Sequence, residues 1–119
     1  MKNIIELVKN LYLSQSEIEY LSVKNQGKEI FQQIFNDEQH KIEIIHSFNA
    51  KTSWMQNENI ELVALLKGQA TIMDADEKLH NIQEGDIIKI EPLTKHKVTQ
   101  TSQYALWLAI HLGENNGKS

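Results

Sequence analysis

Glu61-Leu-Val-Ala-Leu-Leu-Lys-Gly68 and Gly85-Asp86-Ile-Ile-Lys-Ile-Glu-Pro92-Leu-Thr-Lys-His96 are the two runs whose reading decides the fold. Each carries apolar residues over a length too short for an ordinary helix, and each is bounded by turn chemistry. Gly68 allows the chain to reverse after the first run, and Pro92 cannot donate to a strand ladder, so it ends the second. In the first run Glu61, Val63 and Leu65 share one face and Leu62, Ala64 and Leu66 the other. Two apolar faces predict a strand covered on both sides. A carboxylate at the head of one such face is costly to bury without a partner, and the imidazole that closes the second run, His96, is a candidate for that partner.

The same grammar extends outward. Lys41 to Phe48 reads as a strand, with Ile42, Ile44 and His46 on one face and Glu43, Ile45 and Ser47 on the other. Asn49 to Asn59 is polar apart from Trp54 and Met55 and reads as a loop feeding the strand Ile60 to Leu66. Gln69 to Met73, Leu79 to Ile82, Ile87 to Ile90 and Lys95 to Thr99 follow as short strands, with the tip of a charged turn at Asp76-Glu77. The last, Tyr104 to Leu112, alternates Leu106, Leu108 and Ile110 against Ala105, Trp107, Ala109 and His111. At the amino end Ile4, Ile5, Leu7, Val8 and Leu11 recur at helical spacing, and Ser14 with Glu17 forms a capping-box pattern. Glu29 to Phe35 fits a strand or a helical turn equally. These readings divide the chain into an arm over residues 1–40, a barrel over 41–112 and a disordered tail over 113–119.

Composition sets outer bounds. The chain has 119 residues, 40% of them hydrophobic and 24% charged, which suits one soluble all-β domain with a single core. Its net charge of -4 and scattered lysines argue against nucleic acid, which requires a clustered cationic surface. There is no cysteine, so disulfides and thiolate chemistry are excluded. No segment approaches the roughly 20 apolar residues that cross a bilayer, and no signal-peptide pattern opens the chain, so a cytoplasmic location is expected. Gly-x-Ser-x-Gly, Ser-x-x-Lys and glycine-rich phosphate loops are absent.

Taken together, the two quoted runs resemble the paired motifs of the cupins. In that family a glutamate, six intervening residues and a glycine close the first block, as Glu61 and Gly68 do here. A Gly-Asp turn, an apolar strand, a proline and a histidine make the second, as Gly85 through His96 do. The ending Thr101-Ser102 and Trp107-Leu-Ala-Ile-His111 is similar to that of small single-domain bacterial cupins. The resemblance implies a double-stranded β-helix, or jelly-roll barrel, with a short, partly helical amino-terminal arm. It also implies site roles for Glu61 and His96. Cupin metal centres usually add a His-x-His pair just before the glutamate. Here those places fall on Met55 and Asn57, or on Trp54 and Gln56 one residue earlier, and neither register supplies a histidine.

The candidate ligand-binding residues are therefore Glu61, His96, Trp54, Gln56, Asn57 and Trp107. The candidate metal ligands are Glu61, His96 and His46, since imidazole and carboxylate together suit divalent iron, manganese, nickel or zinc. Against this stands the simpler role of a hydrogen-bonded Glu61–His96 pair in a barrel holding no metal. His40 and His80 read as solvated, and His111 as a satisfied histidine at the core margin. Three functions are compatible with the residues: a small-molecule binding protein, a metal-dependent enzyme of isomerase or dioxygenase type, and a non-catalytic interaction module. The resemblance also implies a homodimer, since cupins of this kind commonly pair through sheet edges and the amino-terminal arm, and pairing open edges removes an aggregation hazard.

Overall fold

Among the described residues, eight antiparallel strands in two sheets carry the short apolar runs of the sequence, and a helix over Gln15–Lys24 precedes them. The structure is a computed structural model that describes residues 12–113 together with Asn3, Ile5, Glu6 and Lys9. The helical spacing read through Ile4, Leu7, Val8 and Leu11 falls outside the described residues, as does the tail over 114–119.

Helix α1 spans Gln15–Lys24 and begins on the box anticipated from its sequence. The Ser14 hydroxyl accepts from the Glu17 amide at 3.2 Å, and the Glu17 carboxylate accepts from the Ser14 amide at 2.9 Å. These backbone and hydroxyl donors also hold the Glu17 carboxyl below the usual glutamate range.

The strands are β1 (Glu29–Asn36), β2 (His40–Ser47), β3 (Ile60–Lys67), β4 (Ala70–Asp74), β5 (Leu79–Ile82), β6 (Ile87–Ile90), β7 (His96–Thr101) and β8 (Ala105–Leu112). The larger sheet has the order β1-β2-β8-β3-β6, and the smaller has β5-β4-β7. The segment that fitted strand or helical turn is thus a strand, and it is an integral edge of the larger sheet. Part of the stretch grouped with the arm belongs to the sheet framework, because β1 pairs with β2 from Glu29 to Asn36, with one register shift between Gln33 and Phe35.

Two apolar layers follow from the alternation. Between the sheets, Val63, Leu65, Ile90, Ala105, Trp107 and Ala109 of the larger sheet meet Ala70, Ile72, Ile82 and Val98 of the rest. On the far side of the larger sheet, Ile44, Phe48, Tyr104 and Leu106 pack under Ile18 of α1, with Leu66 and Leu108 at the margin. That second layer is why both faces of β3 and β8 are apolar.

The same layering decides the fate of His46. It lies on the Ile44 face, which looks toward α1 and away from the barrel interior. Its Nδ1 is 2.7 Å from the Tyr104 hydroxyl, and both side chains are buried. Burial lowers the affinity of His46 for a proton and pushes the Tyr104 phenol well up. His46 is therefore a partnered histidine of the outer layer, and the sheet separates it from Glu61.

Candidate functional site

β3 presents Glu61 to the barrel interior, and β6 and β8 flank it, with Ile90 and His111 as its register partners. His96 opens β7 on the opposite sheet. The extended segment before β3 reaches across to it, where Met55 and His96 exchange backbone bonds of 2.7 and 3.0 Å. This brings the two residues quoted at the head of one motif and the end of the other to 4.0 Å, Nε2 to Oε1. Their side chains are only 8% and 10% exposed, so the pair stands on the inner wall as anticipated.

Around them lies a cavity of about 220 Å³. Its lining includes the apolar Val63, Ile72, Ile90, Val98 and Trp107, and among its polar residues Glu43, Glu61, His96 and His111 stand together. Asn57 donates its amide to Glu61 Oε1 at 2.8 Å. His96 Nδ1 lies 3.2 Å from the Thr94 carbonyl, which can only accept, so Nδ1 carries a proton. Trp107 Nε1 donates to Ser47 Oγ at 3.1 Å, and Ser47 Oγ donates to Glu29 Oε2 at 2.7 Å, a relay that fixes the indole and one carboxylate together.

Two residues of this group went unrecognised in the sequence. Glu43 and His111 enter from β2 and β8, with His111 Nε2 3.4 Å from Glu43 Oε2 and 3.7 Å from Glu61 Oε2. That ring nitrogen is fully buried and makes no hydrogen bond. Lys41 at the rim places Nζ 3.3 Å from Glu43 Oε2. The signal that could have found them was the alternation itself. Glu43 shares the inward face with Ile45, and His111 shares one with Trp107.

Of the other expected ligand-binding residues, Asn57 and Trp107 line the cavity, whereas Trp54 and Gln56 do not. Extended backbone turns alternate side chains apart, so with Met55 and Asn57 inward, Trp54 and Gln56 must face out. Trp54 is 42% exposed and lies under Lys97, whose Nζ is 4.7 Å from the ring centroid.

Burial pushes the Glu61 carboxyl up; His111 pulls it back, the like charge of Glu43 raises it further, and Lys41 and the Asn57 amide oppose. Glu29 is raised for the same first reason, with Ser47 opposing and Glu43 adding. A carboxyl raised in the folded state binds more protons there than in the unfolded chain. Stability is therefore lost as pH rises from the unfolded value, about 4.3, through the raised one. Glu61→Gln should flatten that slope and leave the protein no less stable at pH 7, as read by urea unfolding at pH 5 and 8. A steeper slope in the variant would contradict this account.

The three-histidine, one-glutamate shell implied by the cupin resemblance does not fit these residues. Its histidine pair is replaced by a thioether and an amide, and the Asn57 amide points its N–H at the glutamate oxygen a metal would need. Among the described residues, no three or more His, Asp or Glu are arranged to hold an ion.

No family model and no curated protein matches the sequence. Solved structures do match. A Ralstonia eutropha protein provisionally described as a mannose-6-phosphate isomerase is 27% identical, with a TM-score of 0.69 over 73% of this chain and 86% of its own. A cupin superfamily protein from Desulfitobacterium hafniense is 14% identical, with a TM-score of 0.68 over 76% of this chain and 82% of its own. An RmlC-like cupin from Methanocaldococcus jannaschii, a double-stranded β-helix, is 15% identical, with a TM-score of 0.65 over 76% and 84%. None of the described helices is long and apolar enough to cross a membrane. The likeness to these structures shows that this chain has the small cupin fold, a double-stranded β-helix.

Proposed function

We propose that this cupin is a small-molecule binding protein whose ligand sits in the cavity walled by Glu61, His96, His111 and Trp107. One observation carries the reading: buried polar groups, one of them without a hydrogen-bond partner, converge in a largely apolar cavity. His111 Nε2 is buried without a hydrogen-bond partner, and the largely buried His96 faces Glu61 at 4.0 Å. Such groups are costly to hold in a folded core. Convergent polar groups over an apolar floor are the usual form of a ligand site. At about 220 Å³ the cavity lies below the common range for such sites, roughly 300–1,000 Å³, which favours a compact ligand.

Screening a chemically diverse fragment library by NMR tests this. Binders should shift the Trp107 indole and the His96 and His111 ring signals, and His96→Ala should weaken them. If no fragment perturbs those signals, or if binders cluster on the outer surface, the reading is lost.

The homodimer expected from the sequence is assigned, within the same proposal, to the edge of the larger sheet at β1. Phe31 and Phe35 stand there 58% and 48% exposed. A monomer in sedimentation at high concentration would remove that assignment.

A further inference from the structure

Leu93 keeps a backbone state that its own side chain opposes. Among the described residues, positive φ outside glycine occurs at Asn49, Glu77 and Leu93. Asparagine tolerates that region and Glu77 belongs to an exposed charged turn, but a branched apolar residue at φ +59 is an outlier. Leu93 is also 62% exposed, so burial of its side chain does not offset the strain. The turn around it explains the demand. The Thr94 amide donates to the Glu91 carbonyl at 3.3 Å, which puts proline second and a positive φ third in the four-residue turn. That third place in a type II turn ordinarily belongs to glycine or asparagine. Strained residues persist where their surroundings fix them, and what fixes Leu93 leads to the cavity. Its amide donates to the Asn57 carbonyl at 2.7 Å, and Asn57 gives its side-chain amide to Glu61 Oε1 at 2.8 Å. The next carbonyl, that of Thr94, accepts from His96 Nδ1 at 3.2 Å. One exposed turn thus holds both members of the Glu61–His96 pair, the first through Asn57 and the second directly.

We propose that Leu93 is a positioning residue for the cavity, its left-handed backbone state aiming one amide at the Asn57 carbonyl and so setting how Asn57 and His96 are presented to a ligand. This rests on the binding-pocket reading above and adds an element that shapes the pocket from outside it. Leu93 lines no part of the cavity, so its effect runs through those two side chains. The alternative open to the same four residues is a type I turn. It keeps the closure from Thr94 to Glu91 and gives Leu93 the negative φ its side chain prefers, but it flips the peptide between Pro92 and Leu93. The Leu93 N–H then points away from Asn57, and the carbonyl that anchors Asn57 loses its donor. Because a pocket binds best when its polar groups are already in place, the flipped turn weakens binding without removing a single contact to the ligand.

The test compares Leu93→Val with Leu93→Asn by NMR of the intact protein. Valine resists positive φ more strongly than leucine, and asparagine accepts it. Leu93→Val should move the Asn57 side-chain amide and His96 ring nitrogen signals, and should weaken a fragment found by the screen above by about threefold to tenfold, the worth of about one hydrogen bond. Leu93→Asn should return both readouts to the parent values, although it lacks the leucine side chain altogether. Should Leu93→Val not fold, Leu93→Ala, which shares the reluctance in milder form, is read against Leu93→Asn in the same way. Unmoved Asn57 and His96 signals in the valine or alanine variant would overturn the proposal. Equal shifts in the asparagine variant would do so too, since loss of the side chain and not the backbone state would then be the cause. Signals that move while the fragment binds as tightly as before would show that the turn does not serve binding. If the screen yields no fragment, the binding-pocket reading is lost, and the Asn57 and His96 signals still decide whether Leu93 positions them.

Discussion

Phe48→Ala should destabilise the folded chain by about 3–5 kcal/mol, the range for removing a buried aromatic ring from a packed site. Phe48 is completely buried, directly after β2, in the layer that joins α1 to the larger sheet. Its ring lies 5.4 Å from that of Tyr104, and Ile18, Ile44 and Leu106 belong to the same cluster. The backbone on either side is tied down: the Phe48 amide donates to the Lys28 carbonyl at 3.0 Å, and the Phe48 carbonyl accepts from Gly27 at 2.7 Å. Fixed backbone limits collapse into the space left by the ring, which places the cost toward the upper part of the range. Urea unfolding measures it. A loss below about 1 kcal/mol would show that the outer layer contributes far less than its burial implies. Because the sheet lies between this layer and the cavity, the folded variant should keep the Trp107 environment of the parent.

Gly68→Ala should cost about 2–5 kcal/mol, the sum of two separate penalties. Gly68 has φ +90, a backbone state that a side chain makes unfavourable by roughly 1–2 kcal/mol. An added Cβ would also collide with the Tyr104 carbonyl, and it would sit 2.7 Å from Ser102 Oγ and 3.0 Å from the Ala105 Cα. Ser102 Oγ could rotate away, but the backbone of β8 cannot yield without disturbing its pairing with β3, so overpacking adds roughly 1–3 kcal/mol. The same hydroxyl ties this corner together, accepting from the Gln69 amide at 3.0 Å. Gly27 offers the control: it has φ +80 but open space around its Cβ position. Gly27→Ala should therefore show the conformational penalty alone, and equal losses at the two positions would refute the steric part.

The cupin reading from sequence named two residues that the fold brings within 4.0 Å of each other. Glu61 and His96 belong to different sheets and lie far apart in the chain, yet they converge because one opens its motif and the other closes its own, and the turns of each motif set its strand. Asn57 and Trp107 were legible for a related reason, since each alternates with neighbours whose inward face is fixed. Trp54 and Gln56 were misplaced because a loop with few apolar residues does not show which of two alternating sets faces in. His46 was misplaced because its face of β2, with Ile44, is the one under α1, whereas Glu43 and Ile45 of the opposite face line the cavity. Glu43 and His111 were missed for the complementary reason. Each reads as an ordinary strand residue until β2, β8 and β3 lie side by side, which puts both beside Glu61.

The sequence by itself determined the strands, their turns and the capped helix, because those depend on local chemistry: side-chain period, glycine and proline at corners, and a serine with its glutamate three residues on. It also determined that a barrel would carry a carboxylate and an imidazole in corresponding motif positions. Only the tertiary structure decided which apolar face met the other sheet and which met α1, and so which polar residues were enclosed together. Alternation assigns side chains to two faces but does not say which is inside when both are apolar. That choice rests on contacts between strands distant in sequence, and it turned one expected pair into a cavity lined by Glu29, Glu43, Glu61, His96 and His111.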